Sequence, residues 1–194
     1  RQLLLHDVSA EGGAGGGGGV PPRINRRIVG GKSDVHPGLA ADLQNFSRYC
    51  EARAPEDAAR VLHRFFTTAS AIIEAHGGVV EEMVGDSLLA VFNGPRPCDD
   101  HPTHALAAAR ELWLRCSEEL PNTSGIGLEP LSISVGMESG MALVGSFGPA
   151  RRRVHSVLGQ TVTIALRLQG LTADLAYPLL VGQESARRIG PLFE

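Results

Sequence analysis

"HGGVVEEMVGDSLLAVF", residues 76–92, is the stretch whose reading decides the fold. Val79–Val84 and Ser87–Phe92 are short apolar runs on either side of Gly85-Asp86, a dipeptide suited to a tight hairpin turn. Simple alternation along the first run sends Glu81 and Glu82 to opposite faces, with Glu81 solvated. Asp86 at the tip has two readings. It is ordinary turn chemistry, or it is a carboxylate held at a strand end where a ligand can reach it.

Outward from the hairpin, helices alternate with strands. Upstream, Pro55 opens a helix whose apolar residues Val61, Leu62, Phe65, Phe66, Ala69, Ile72 and Ile73 follow the i, i+3, i+4 rhythm. Gly77 suits its C-terminal cap. Downstream, a second helix starts near Pro102 and turns Leu106, Ala109, Leu112, Trp113 and Cys116 inward. Leu131–Glu138 and Met141–Phe147 read as a second hairpin around Ser139-Gly140. A strand at Val154–Leu158, a helix at Thr161–Leu171, a strand at Tyr177–Val181 and a helix at Gln183–Ile189 complete the series. Hairpins mixed with helices predict an α+β fold, with helices packed on a mostly antiparallel sheet. In the first strand, "DVHPGLAAD", Pro37-Gly38 is expected to shorten or distort the pairing.

With 194 residues, 43% hydrophobic content and a net charge of −3, the chain can build one domain with a real core and carries no nucleic-acid signature. No apolar run approaches the roughly 20 residues needed to cross a bilayer. The cysteines Cys50, Cys98 and Cys116 are odd in number and scattered, which suits a reducing compartment and no metal-ligand motif. Residues 1–34 contain "EGGAGGGGGVPP" and read as a flexible glycine-rich tail, with the ordered domain at 35–194.

A second aspartate, Asp42 in "AADLQNFS", joins Asp86 as a candidate. Alone it could cap the turn that follows. Two carboxylates at neighbouring strand ends could instead hold magnesium, which leaves positions open for phosphate oxygens. Spacing does not choose between these.

Several blocks in register bear on the choice: "DLQNFS", "HGGVVEEMVGDSLLAVFNGP", "VGMESGMALVGSFGPARRRVHSVLGQTV" and "ALRL". Together they resemble the catalytic domain of class III nucleotidyl cyclases, in particular bacterial members in which that domain follows a membrane-anchored sensor region. The resemblance implies a ferredoxin-like sheet, a cytoplasmic location, and conversion of a purine nucleoside triphosphate to its 3′,5′-cyclic monophosphate and pyrophosphate. It implies two magnesium or manganese ions per site, held by Asp42 and Asp86, with the Leu43 to Ser47 backbone (Phe46 included) beside the phosphates. Glu82 falls where a base-reading glutamate goes with guanine and a lysine with adenine; a carboxylate can accept from guanine N1–H and its amino group. The lean is therefore towards GTP, with ATP as the alternative and a non-catalytic nucleotide-binding or dimerisation module as a second one.

Ser156 falls on the second base-reading position, and a hydroxyl can donate or accept. Arg151 matches a triphosphate-binding position. Arg167 matches the arginine that meets the transition-state phosphate, and Thr163 replaces the asparagine that serves the ribose. Spacing of i, i+4 puts Thr163 and Arg167 on one helix face. The resemblance further implies a head-to-tail homodimer with shared sites, and a last hairpin carrying a phosphate-binding lysine, which would lie beyond Glu194. Lys32 is the only lysine of the chain and precedes the first block.

Overall fold

The computed structural model describes residues 4–5, 30–94, 97–123, 127–149, 151 and 154–190. The glycine tract lies outside the described residues. The elements in chain order are β1 (Leu4–Leu5), β2 (Gly30–Gln44), α1 (Phe46–Ala52), α2 (Pro55–Ala75), β3 (Val79–Val84), β4 (Ser87–Val91), α3 (His101–Glu119), β5 (Ser132–Phe147), β6 (Val154–Leu158), α4 (Gln160–Leu175), β7 (Leu179–Val181) and α5 (Gln183–Ile189). The strands form a seven-stranded sheet in the order β1-β7-β5-β2-β4-β3, with β6 on the free half of β5. β2, β3, β4, β5 and β6 pair antiparallel. Only β7 runs parallel, to β5 and to β1. The expected α+β class, a mostly antiparallel sheet with helices packed on it, is what forms.

Period-two alternation divides β2 and β5 between two faces. Leu39, Ala41 and Leu43 of β2 and Ile133, Val135 and Met137 of β5 point to the main core, where Phe65, Ala69, Ile72 and Ile73 of α2 and Ala105, Ala109 and Leu112 of α3 cover them. Fully burying one such Leu, Ile or Phe is worth about 1.5–3 kcal/mol, so this layer carries most of the stability. α2 begins with Pro55 in its first turn and ends before Gly77, whose φ of 79° is the left-handed conformation a helix stop requires.

The opposite face is covered by α4, and there the strands present glycine. A Cβ on Gly136 would sit 2.2 Å from the Ala165 carbonyl oxygen and 2.3 Å from the Gln169 nitrogen. One on Gly140 would sit 2.6 Å from Thr161 Oγ1. The helix backbone therefore rests directly on the sheet.

Two expectations are corrected. Ser139-Gly140 is no turn: β5 runs unbroken for 16 residues, with Ser139 opposite Pro37 and Gly140 opposite His36. Its glycine admits α4 and does not reverse the chain. Pro37-Gly38 does not shorten the first strand, which runs 15 residues from Gly30. Pro37 sits one residue beyond the β4 ladder, where its carbonyl accepts a 3.1 Å bond from the Phe92 N–H, and the Phe92 carbonyl that its missing N–H leaves without a ladder donor is met by His36 Nδ1 at 3.1 Å. Within residues 1–34, Leu4 and Leu5 pair in parallel with Leu180 and Val181, and β2 begins at Gly30. α1 and β1 have no counterpart among the elements expected from the sequence. α1 is short and follows Asn45, which has a φ of 66° and breaks the strand abruptly.

Candidate active site

Asp42 is placed by β2 on the α4 side of the sheet, in register with Ser87 of β4 and Ser134 of β5. Asp86 is placed by the hairpin tip, after Gly85 with its φ of 61°. A backbone bond from the Leu43 N–H to the Asp86 carbonyl, 3.3 Å, clips the tip against the end of β2. The two carboxylates thus become neighbours through main-chain geometry. Burial pushes the Asp42 carboxyl above its ordinary value; the Ser87 hydrogen bond opposes this, and the Asp86 charge adds to the rise.

Four further side chains form a network around Asp42, two of them bonding its carboxylate; Ser87 and Gln44 lie inside the quoted blocks without being singled out by side chain, and Ser134 and Gln169 lie outside them. The Ser87 hydroxyl donates to Asp42 Oδ1 at 2.5 Å. Gln44 Nε2 donates to Asp42 Oδ2 at 3.4 Å and to Ser134 Oγ at 2.8 Å. Gln169 of α4 donates to the same Ser134 oxygen at 2.7 Å, and Ser134 donates to the Asp42 carbonyl at 3.3 Å. A signal does exist: Asp42, Gln44 and Ser134 are polar residues at alternate positions of strands whose other face is apolar.

The second cluster joins β3 to β6. Ser156 donates to Glu82 Oε1 at 2.6 Å, so the two base-reading candidates meet. Beside them His155 Nδ1 lies 2.6 Å from Glu81 Oε2. Here alternation fails. The β3–β4 register shifts between Val80 and Glu82, leaving Glu81 as the extra residue of a β-bulge. A bulge lets two consecutive side chains share a side, and both glutamates reach β6. Glu81 is not solvated: its side chain is 1% exposed, whereas His155 is 55% exposed. His155, which alternation turns away from this side, is likewise part of the cluster.

The remaining candidates are more dispersed. Thr163 and Arg167 share the outer face of α4, exposed, while Thr161, Ala165 and Leu168 turn inward. Among the described residues Arg167 meets no carboxylate. Arg151 is exposed in the turn before β6. Leu43 is buried and its N–H is taken by Asp86, so it does not offer that group to a ligand. Phe46 and Ser47 open α1, where first-turn N–H groups lack helical partners. No hydrogen bond or ion pair among the described residues links the Asp42–Asp86 pair to Glu82, Ser156, Thr163 or Arg167.

The donor set suits a divalent cation. Burial and the Asp86 charge both push Asp42 upward, and a cation held between the two carboxylates would relieve both effects.

The sheet and the helices that cover it have relatives among known proteins. The adenylate and guanylate cyclase catalytic domain family matches residues 39–176, and the chain belongs to it. It is 30% identical over 142 residues to adenylate cyclase 1 of Rhizobium meliloti (strain 1021), covering 73% of this chain and 21% of that protein. Its fold superposes on the guanylyl cyclase Cya2 with a TM-score of 0.63 at 29% identity, covering 72% of this chain and 71% of that one. A bacterial light-regulated adenylyl cyclase gives a TM-score of 0.73 at 23% identity, covering 85% of this chain and 48% of that one. The chain thus spans about a fifth of the length of the Rhizobium relative. No helix among the described residues is long and apolar enough to cross a membrane.

Proposed function

We propose that this chain is the catalytic domain of a nucleotidyl cyclase that converts a purine nucleoside triphosphate to its 3′,5′-cyclic monophosphate and pyrophosphate, with GTP preferred. The observation that carries the base assignment is the Glu82–Ser156 contact at 2.6 Å, which sets a carboxylate and a hydroxyl side by side on two strands. Glu82 can accept from guanine N1–H and the exocyclic amine, and the Ser156 hydroxyl can turn to donate to guanine O6. Adenine offers a lone pair at N1, which a carboxylate repels.

Asp42 and Asp86 are the residues that would hold two magnesium or manganese ions. Bound there, the ions would supply acidification of the ribose 3′-hydroxyl and neutralisation of phosphate charge. Ser87 and Gln44 keep the Asp42 carboxylate oriented. The free N–H groups of Phe46 and Ser47 face phosphate oxygens, and Arg151 adds a cation for the triphosphate. Arg167 meets the charge that develops on the α-phosphate, and Thr163 bonds the ribose through one hydroxyl.

A homodimer completes the site. Thr163 and Arg167 face outward, so they serve the carboxylate pair of a second chain, not their own. Among the described residues, six of the seven exposed large hydrophobics lie on four elements: Met83 and Val84 on β3, Val154 and Leu158 on β6 and Leu166 on α4, which carry Glu82, Ser156, Thr163 and Arg167, and Met141 on the neighbouring β5. An apolar surface on these elements is the kind that a partner covers.

One observation favours ATP as the second reading. While Ser156 donates to Glu82, its oxygen remains an acceptor and can take the exocyclic amine of adenine. The test is cyclic-nucleotide formation from GTP and from ATP under manganese, in the wild type and in Glu82→Lys. A bidentate contact to a base edge discriminates by ~1–3 kcal/mol, or roughly tenfold to a hundredfold, and Glu82→Lys should move the GTP/ATP ratio by that much towards ATP. A wild type that prefers ATP, with a ratio that Glu82→Lys leaves alone, removes the base assignment. Formation of neither product supports the non-catalytic reading.

A further inference from the structure

β6 belongs to the sheet through β5 alone, where Val154–Leu158 pairs with Leu143–Phe147. It forms no ladder with β3. What ties β6 to β3 is side chains: His155 to Glu81 at 2.6 Å and Ser156 to Glu82 at 2.6 Å. The second tie is made of the two residues that read the base. A nucleotide that engages Glu82 and Ser156 must loosen or rearrange it. The first tie is therefore the one that can hold the strands at a fixed separation while the base is bound.

Glu81 has the features of such a strut. A β-bulge in β3 places it beside Glu82 on the β6 side, a placement that plain alternation would forbid. Its carboxylate is almost wholly out of water, yet Oε1 is buried with no hydrogen-bond partner among the described residues. Hiding a carboxylate in this way is costly unless an oriented donor compensates, and the His155 ring is the donor the structure provides. The groups that face Glu81 are His155 from β6 and Glu82 from its own strand. Glu74 of α2 lines the cleft of about 790 Å³ that Glu81 and Glu82 also border. A second carboxylate one residue away means that losing the His155 contact would leave two acidic groups with only Ser156 to separate them from β6.

We infer that the Glu81–His155 contact is a positioning device for base selection: it sets the β3–β6 spacing at which Glu82 and Ser156 grip a purine edge together. Neither residue touches the reacting atoms, and neither contributes to the metal pair. The inference rests on the base-reading role proposed for Glu82 and Ser156.

The readout is selectivity, not rate. Affinities of the 3′-deoxy triphosphates of guanosine and adenosine, which lack the attacking hydroxyl, are measured with manganese on the dimer in the wild type, His155→Ala, His155→Gln, Glu81→Leu and Glu82→Ala. Melting temperatures are recorded in parallel. His155→Ala lies at an exposed site, and Glu81→Leu keeps a buried position filled, so both should fold. Each should compress the guanine/adenine affinity ratio about tenfold or more, while metal-dependent binding of the triphosphate persists. His155→Gln retains an N–H donor and should recover most of the ratio. The variant carrying both His155→Ala and Glu81→Leu should be no less selective than either single one, as expected when both remove the same contact. If Glu82→Ala abolishes selectivity but His155→Ala and Glu81→Leu leave it intact, the strut is wrong and the base-reading pair stands. If Glu82→Ala changes nothing, the base-reading assignment fails and the strut falls with it. A lowered melting temperature with an unchanged ratio assigns the contact to stability alone and overturns the inference.

Discussion

β2 and β5 are read twice, once from each side of the sheet. On the side of α2 and α3 they present Leu39, Ala41, Leu43, Ile133, Val135 and Met137, all nearly inaccessible to water. On the side of α4 the intervening positions are Gly38, Ala40, Asp42, Ser134, Gly136 and Glu138. The first face gains stability through large side chains. The second face gives up that burial, so that a helix backbone can lie against the strands and a carboxylate can stand at their end. The difference teaches that one strand can serve two unrelated demands if its residues alternate, and that damage to each face should look different.

The largest expected effect is on turnover. Asp42→Asn or Asp86→Asn should lower metal-dependent cyclic-nucleotide formation by about a thousandfold or more, since charge stabilisation by a bound metal is worth several kcal/mol and each 1.4 kcal/mol is a factor of about ten. Melting temperature should stay near that of the wild type, because both side chains lie at a strand end or turn outside the main core. A stability loss as large as that of a core truncation would blur the two faces into one.

Next comes Ile133→Ala, on the α2–α3 side. It should cost about 2–5 kcal/mol in denaturant unfolding. The GTP/ATP preference of the molecules that remain folded should not change. Gly136→Ala, further along the same strand on the α4 side, should cost about 1–3 kcal/mol by overpacking, because its Cβ has only helix backbone to push against. It should also lower activity, since α4 carries Gln169 of the Asp42 network and, on its outer face, Thr163 and Arg167. A Gly136→Ala protein with normal stability would show that α4 does not rest on the sheet as described.

The smallest effect belongs to neither face. Glu184 on α5 is held at a pKa of about 2, chiefly by the hydrogen bonds from Arg187, with Arg188 adding to them. Its folded-state value is lowered, so its contribution is present above the ordinary value of 4.5 and lost as pH falls towards 2. The group is partly exposed and screened, and the wild type should melt about one degree above Glu184→Gln at neutral pH, with the gap closing in that acid window.

Elements with strong periodicity are legible in the sequence alone: α2, the β3–β4 hairpin, α3 and α5 fall where their apolar spacing and turn residues put them. Misreadings gather where one residue type answers two questions. Gly140 reads as a chain reversal because glycine marks turns, but here it makes room for Thr161. Pro37 reads as a strand breaker because the end of the neighbouring ladder cannot be seen in one strand's sequence. The candidate site is legible in part. Asp42, Asp86, Glu82 and Ser156 stand out by motif, and a hydrogen bond joins the last two in space. Glu81 and His155 do not stand out, because a bulge changes which side a residue faces without changing its hydropathy. Gln44, Ser134 and Gln169 lie far apart in the chain and become a network only when β2, β5 and α4 are assembled.

The Leu43 N–H to Asp86 carbonyl bond ties the two acidic residues together through atoms that every amino acid except proline can provide. Their spacing is therefore hardly exposed to drift in the surrounding sequence. Side chains on either side can be exchanged over evolutionary time while the peptide link keeps the acidic residues in step.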